Sequence, residues 1–358
     1  MVTTRSLPRR QRPLQRLSAL GQILALNALG GFLLALTLAL SLPADAPPLL
    51  PSPVETDLPA PLPPLLLTRP AAEETVPEGM LPVSAIQISG ERGGYEGAEG
   101  VYFQNVAGIG VDYAAALGRE VALPAAAEGP QVLILHTHTS EAYAEQIHWY
   151  DPAASAYDRD NSQNIVAVGD TLAAALERRG IGVVHETTHC DDPSFNQAYN
   201  KSRTVAEAAL AEHPSIRVVI DLHRDSMITA EGLKYRPVLT VDGVETAQMM
   251  LVVGSPKNGL AHPDWLDNLA LAGRLYQLLE QETPGLMRPI HISANRYNQH
   301  LSPAAFLVEV GTCANTMAEA DAAVELLAEG VAALLTEVRP APPAGVAAAA
   351  AKSPSTRH

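Results

Sequence analysis

Short aliphatic runs alternate with helical segments of ten or more residues along the middle of this chain, and that alternation restricts the fold more than any other feature. Val132-Leu133-Ile134-Leu135 follows Gly129-Pro130 and reads as a short buried strand. Asn161–Arg179 then places Ile165, Val168, Leu172 and Leu176 at helical spacing and stops at Gly180, a C-cap residue. Further strands are expected over Ile181–His185, Ile216–Leu222, Arg288–Ile292 and Phe306–Val310, and helices over Ser202–Glu212, Pro263–Gln281 and Thr316–Val338. Pro237–Val241 and Met249–Val253 flank Asp242-Gly243, a hairpin signal. The expected fold is α/β: a mixed, mostly parallel sheet with helices on both faces. Right-handed crossovers bring several strand C-termini to one edge, where open α/β sheets bind ligands.

The chemistry-bearing residues stand at those strand ends. The first strand runs into His136-Thr137-His138-Thr139-Ser140-Glu141, another ends in Asp221-Leu222-His223-Arg224-Asp225, and the last carries Glu309 between Val308 and Val310. Two strand ends give His, and two give Glu. That is the inventory of a catalytic zinc site: three N/O ligands, an open fourth position, and a carboxylate base. His138 and Glu141 are three apart, so one helical turn would put them on one face. His136 is the rival ligand, because residues two apart on an extended backbone share a face. Each residue also has a plain reading as a solvated strand terminus, but a carboxylate within an apolar strand is costly unless used or neutralised. His300, just before the last strand, is a weaker pocket candidate, and the other histidines read mostly as surface residues. Nucleophile chemistry lacks its signatures: Ser140 has no nucleophile elbow, and Cys190 and Cys313 have no activating context.

Composition divides the 358 residues. Residues 1–16 form a basic segment with five Arg and no acid. Residues 17–42 read as one N-terminal transmembrane helix, and the preceding Arg cluster sets the N-terminus inside. A cleaved signal peptide ending at Ala44-Asp45-Ala46 is the alternative. Residues 43–82 hold twelve Pro and read as an extended spacer. Residues 83–338 suit one exported domain, and 339–358 read as a disordered Pro-Ala-Ser tail. With the five N-terminal Arg set aside, 19 bases stand against 39 acids, which argues against nucleic acid and anionic lipid surfaces as partners. Two Cys permit one disulfide but no disulfide framework.

Four blocks carry a family resemblance: His136-Thr-His138-Thr-Ser-Glu141-Ala-Tyr143; Asp160-Asn161-Ser-Gln-Asn164-Ile165 through Asp170; Asp221-Leu-His223-Arg224-Asp225; and Leu307-Val-Glu309-Val-Gly311. In this order over about 130–315 they resemble stage II sporulation protein P, a membrane-anchored peptidoglycan hydrolase of endospore-forming bacteria. The resemblance implies an amidase-like fold and zinc-dependent cleavage of the N-acetylmuramoyl-L-alanine amide, with additional cutting of peptide crosslinks. It maps the metal ligands onto His138, Glu141 and His223 and the catalytic base onto Glu309; the choice of His138 over His136 rests on the three-residue spacing to Glu141, and Arg224 beside the zinc is read from the sequence as an oxyanion partner. It implies stage II sporulation proteins D and M as partners, and a single-pass protein whose catalytic domain is extracytoplasmic, at the engulfment septum. Two other classes fit the same residues: a zinc carboxypeptidase, and a non-catalytic wall-binding scaffold.

Overall fold

The computed structural model describes residues 67–68, 75–123 and 127–337. The expected anchor, most of the Pro-rich spacer and the C-terminal tail lie outside these residues. Among the described residues no helix is long and apolar enough to cross a membrane.

The main sheet has eight strands in the order β3-β4-β12-β11-β13-β8-β5-β7. These are β3 (Glu96–Ala98), β4 (Val101–Asn105), β5 (Val132–Leu135), β7 (Val183–His185), β8 (Val218–Asp225), β11 (Met249–Gly254), β12 (Ile290–Ser293) and β13 (Ala305–Thr312). Five of its seven pairings are parallel; β3 with β4 and β11 with β13 are antiparallel. The mixed, mostly parallel sheet is therefore present: β4, β12 and β11 run one way, β13, β8, β5 and β7 the other, and β3 lies antiparallel on the edge beside β4.

Alternation assigns the faces. Val132 and Ile134 of β5, Val218, Ile220 and Leu222 of β8, and Phe306, Val308 and Val310 of β13 share one core. Helices α1 (Tyr113–Leu117), α2 (Ile165–Arg178), α4 (Trp265–Glu282) and α5 (Met317–Glu337) bury their apolar stripes in that core. The intervening residues face the other way, where Leu133, Leu135, Val219 and Ala305 pack on Ala206 and Ala209 of α3 (Ala198–Glu212). Farther along this second face Met250, Val252 and Leu307 form a small apolar strip. One helix cannot cover so wide a face, and a cleft remains beside α3.

Local chemistry explains the element ends. Asn164 caps α2 by accepting from Val166 N–H at 2.9 Å, and Gly180 follows its end at φ 77°. Thr316 and Glu319 form a capping box at the start of α5, each side chain accepting the other's backbone N–H at 3.3 and 3.2 Å.

Two expectations are corrected. Asp242-Gly243 does turn a hairpin, with φ of 49° and 85°, but it joins β9 (Lys234–Val241) to β10 (Val244–Ala247). Met249–Val253 instead enters the main sheet as β11. The hairpin belongs to a second sheet, in which β9 pairs in parallel with β2 (Leu81–Gln87). Both β1 (Leu67–Thr68) and β6 (Trp149–Tyr150) add to β2. Cys190 and Cys313 are both buried and free, so the permitted disulfide is not formed.

Candidate metal centre

Adjacent parallel strands β5, β8 and β13 deliver the strand-end residues to one place. Glu309 pairs across the ladder with His223, and alternation puts both on the less covered face. Beyond Glu309 the register shifts by a bulge, with Gly311 at φ 64°. His138 and Glu141 arrive from the segment after β5. They are joined by a turn, not the expected helical turn: Glu141 N–H donates to the His138 carbonyl at 3.2 Å.

His138, Glu141 and His223 are all buried, with one donor atom of each within 4.8 Å of the others. His138 Nδ1 is 3.5 Å from Glu141 Oε1, and His223 Nδ1 is 3.3 Å from Glu141 Oε2. Ligand atoms about 2.1 Å from a tetrahedral zinc lie about 3.4 Å apart; the two contacts run to different oxygens of Glu141, and the three donors, within 4.8 Å of one another, could close on such an ion. Two imidazole nitrogens and a carboxylate are also its usual donor chemistry.

The surroundings hold the three groups in place. Asp221 Oδ1 lies 3.0 Å from His223 Nε2 as an ion-pair contact, and Thr137 donates to Asp221 from its backbone N–H at 2.8 Å and its hydroxyl at 2.6 Å. Burial alone would raise the Asp221 carboxyl, but His223 and the two Thr137 bonds keep it below its usual value. Burial likewise opposes a charged His223, yet Asp221 and Glu141 on either side hold its pKa well above 6.5. Glu141 is desolvated too, but Arg224 and then His223 hold it well below the usual carboxylate range.

Arg224 is held by several bonds beside the group. Its backbone N–H donates to Glu141 Oε2 at 3.1 Å, Nε to the Ala142 carbonyl at 3.0 Å, and Nη2 to the Ala156 carbonyl at 2.7 Å. Its Nη1 sits 3.7 Å from Glu141 Oε1. These bonds fix Glu141 and the Ala142 and Ala156 segments, and Arg224 also lines the cleft.

His136 does not join the group. The chain turns at Thr137–Ser140, so His136 and His138 do not share a face. His136 continues the α2-facing row of Val132 and Ile134, with Nδ1 3.0 Å from the Leu222 carbonyl and Nε2 2.9 Å from His185 Nε2. Burial, then His185, lowers its pKa to about 3. His300 lies in a short 3-10 turn and is not among the residues lining the cleft.

The cleft holds about 340 Å³ and is lined by His138, Glu141, His223, Arg224 and Glu309 together with groups the sequence reading missed. Phe195 stacks on His138 with ring centroids 4.1 Å apart, Tyr199 meets the same ring edge-on, and Tyr157 lies under the Arg224 guanidinium. His291, read as surface, is buried in β12 and lines the cleft. Its signal was the one that marked Glu309: an ionisable side chain between aliphatics, here Ile290 and Ile292.

Fold and site together define an α/β protein with a buried His-Glu-His group, able to hold a metal ion, in an open cleft. The sequence model of the family "Stage II sporulation protein P (SpoIIP)" matches residues 98–332. The chain belongs to that family. It is 29% identical over 213 residues to stage II sporulation protein P of Bacillus subtilis (strain 168); the match covers 55% of this chain and 50% of that relative, so the chain spans about half the length of the curated relative. Among solved structures it has a distant likeness to the N-acetylmuramyl-L-alanine amidase Ami1 of Mycobacterium smegmatis, at 10% identity and TM-score 0.36 over 60% of this chain and 99% of that one. A similar likeness links it to the CwlD amidase of Clostridioides difficile in complex with the GerS lipoprotein, at 13% identity and TM-score 0.36 over 57% and 98%.

Proposed function

We propose that this protein is a zinc-dependent peptidoglycan hydrolase that cleaves the N-acetylmuramoyl-L-alanine amide during spore engulfment. The observation that carries the proposal is the placement of Glu309 directly across the β8–β13 ladder from His223, beside the buried His138–Glu141–His223 group. His138, Glu141 and His223 would hold the ion. Zinc, when bound, supplies Lewis acidity and makes a water molecule acidic near neutral pH. Glu309 accepts the proton of the attacking water and returns it to the departing L-Ala amine. Asp221 orients the His223 ring, as carboxylate partners of metal-bound histidines do. Arg224 holds Glu141 in register.

Residues 17–42 would anchor the domain to the membrane, and the Pro-rich 43–82 would set its reach into the wall. Cutting of peptide crosslinks, and association with stage II sporulation proteins D and M, belong to the same reading. The test is digestion of purified peptidoglycan with the full chain, followed by mass analysis of products and metal analysis of the protein. Expected products are glycan strands freed of intact stem peptides, with about one zinc per chain and activity lost to chelator. Release of single terminal amino acids would mark a carboxypeptidase instead. Undiminished cutting after complete metal removal would refute the zinc role.

A further inference from the structure

The strand pairings that join His223 to Glu309 also define a lateral row on the same face of the sheet, one step of the alternation away. It runs Asp221 (β8), Leu307 (β13), Val252 (β11) and His291 (β12), each paired with the next. The row begins at the group that orients the metal ligand and ends at a histidine on the far side of the cleft. Between them the floor is apolar.

His291 is only 9% exposed, and Nδ1 is enclosed with no hydrogen-bond partner. A buried polar group left so is costly unless something meets it. Nearby charges are already matched: Arg288 donates to Asp225 Oδ2 at 2.7 Å. Burial lowers the His291 pKa to about 4, with Asp225 opposing and Arg288 adding to the shift. At neutral pH the ring is therefore uncharged; Nδ1 is enclosed, so Nε2 is the ring atom left to meet a ligand in the cleft, as donor or acceptor by tautomer.

We propose that His291 is a substrate-binding residue that hydrogen-bonds the stem peptide about three residues beyond the reacting amide. The distance follows from the sheet. His291 is two strands and two residues from Glu309, which at about 4.8 Å per strand and 3.3 Å per residue places their backbones roughly 12 Å apart. An extended peptide advances about 3.3–3.6 Å per residue, so three residues span the gap. The Leu307–Val252 strip is a narrow apolar floor suited to a peptide chain. The opposite end, beside His138, carries Tyr157 and Phe195, which are 47% and 42% exposed and offer flat apolar faces to sugar rings. The stem thus runs toward β12 and the glycan toward the aromatic end.

The inference rests on the amidase reading, and its test separates the two. The zinc-loaded full chain is assayed on muramyl substrates bearing L-Ala alone and on substrates bearing stems of three or more residues. The wild type is expected to prefer long stems, and His291→Ala to reduce the long-to-short ratio of kcat/KM roughly tenfold, mainly through KM, as loss of one buried hydrogen bond would. His291→Gln, which keeps a donor and an acceptor, should recover part of the preference. If His291→Ala does not fold, His291→Phe fills the ring's space without its nitrogens and should show the same loss. Zinc content and melting temperature confirm that each variant is intact. A ratio unchanged in an intact variant, or a wild type indifferent to stem length, overturns the peptide contact alone. A wild type that cuts neither substrate overturns the amidase reading and this inference with it.

Discussion

Glu309 is the residue whose role a single substitution isolates. It stands in β13 opposite His223 but is not one of the three clustered donors. Glu309→Gln should therefore keep zinc and fold while turnover falls about 10²–10⁴-fold, the usual loss on removing a general base; a variant that arrives without zinc would make Glu309 a ligand. Asp221→Asn should weaken zinc binding about 10–100-fold, because Asp221 fixes the His223 ring from behind. Competition with a chelator of known affinity measures it, and unchanged affinity would reduce Asp221 to a packing role. His138, Glu141, His223 and Glu309 were legible in the sequence because each follows or interrupts an apolar strand. The separation of His136 from His138 was not, since it depends on a turn that ordinary Thr and Ser residues form without a sequence signal. Nor were Phe195, Tyr157 and Tyr199, which reach the cleft from loops and α3 and precede His223 by 28, 66 and 24 residues in the chain, with no local pattern that marks them.

At the scale of elements, the end of β13 is where the site and the second sheet meet. Gly311 makes the bulge at φ 64°, and a Cβ there would stand 2.7 Å from Asn315 Oδ1 and 3.0 Å from the Ala247 Cβ. Asn315 is not free to move: it accepts from Thr312 N–H and donates to the Pro237 carbonyl and to Glu319. Gly311→Ala should thus cost more than the roughly 1–2 kcal/mol of a left-handed backbone alone and should disturb Glu309 two residues away. Denaturant melts of the metal-free protein and turnover of the loaded one measure the two effects; wild-type values for both would show that the bulge relaxes freely. The central strands of the main sheet and the long helices were readable, within a few residues at each end, from apolar runs and the 3.6-residue period; β3 and β4 were not. Of the second sheet only β9 was, as one side of a hairpin. Val244–Ala247 is too short and too polar to announce a strand, and β2 finds β9 and β6 across more than sixty residues, a pairing no local pattern encodes.

For the molecule as a whole, burial decides which histidines the fold must keep neutral. His136 backs the metal centre and His291 floors the cleft, while His262 and His300 lie apart from it; burial comes first in each case, taking His136 to about 3 and the other three to about 4. In the unfolded chain each titrates near 6.5. As pH falls below 6.5 the unfolded state takes up protons that the folded state refuses, so stability is full above that value and is lost toward pH 4. For a group as enclosed as His136 the slope is roughly 1 kcal/mol per pH unit. The depressed carboxyls of Asp221 and Glu141 lose stability in the same direction, but at lower pH. His223 opposes them: its raised pKa contributes stability that is present below 6.5 and lost as pH rises through the higher value. Four groups outweigh one. The melting temperature of the metal-free protein should therefore fall steadily from pH 7 to pH 4.5, and His136→Asn should flatten that slope. A melting temperature that holds level or rises on acidification would mean that these rings are solvated in solution, and that the cleft floor and the wall behind the metal centre are looser than the packing around them implies.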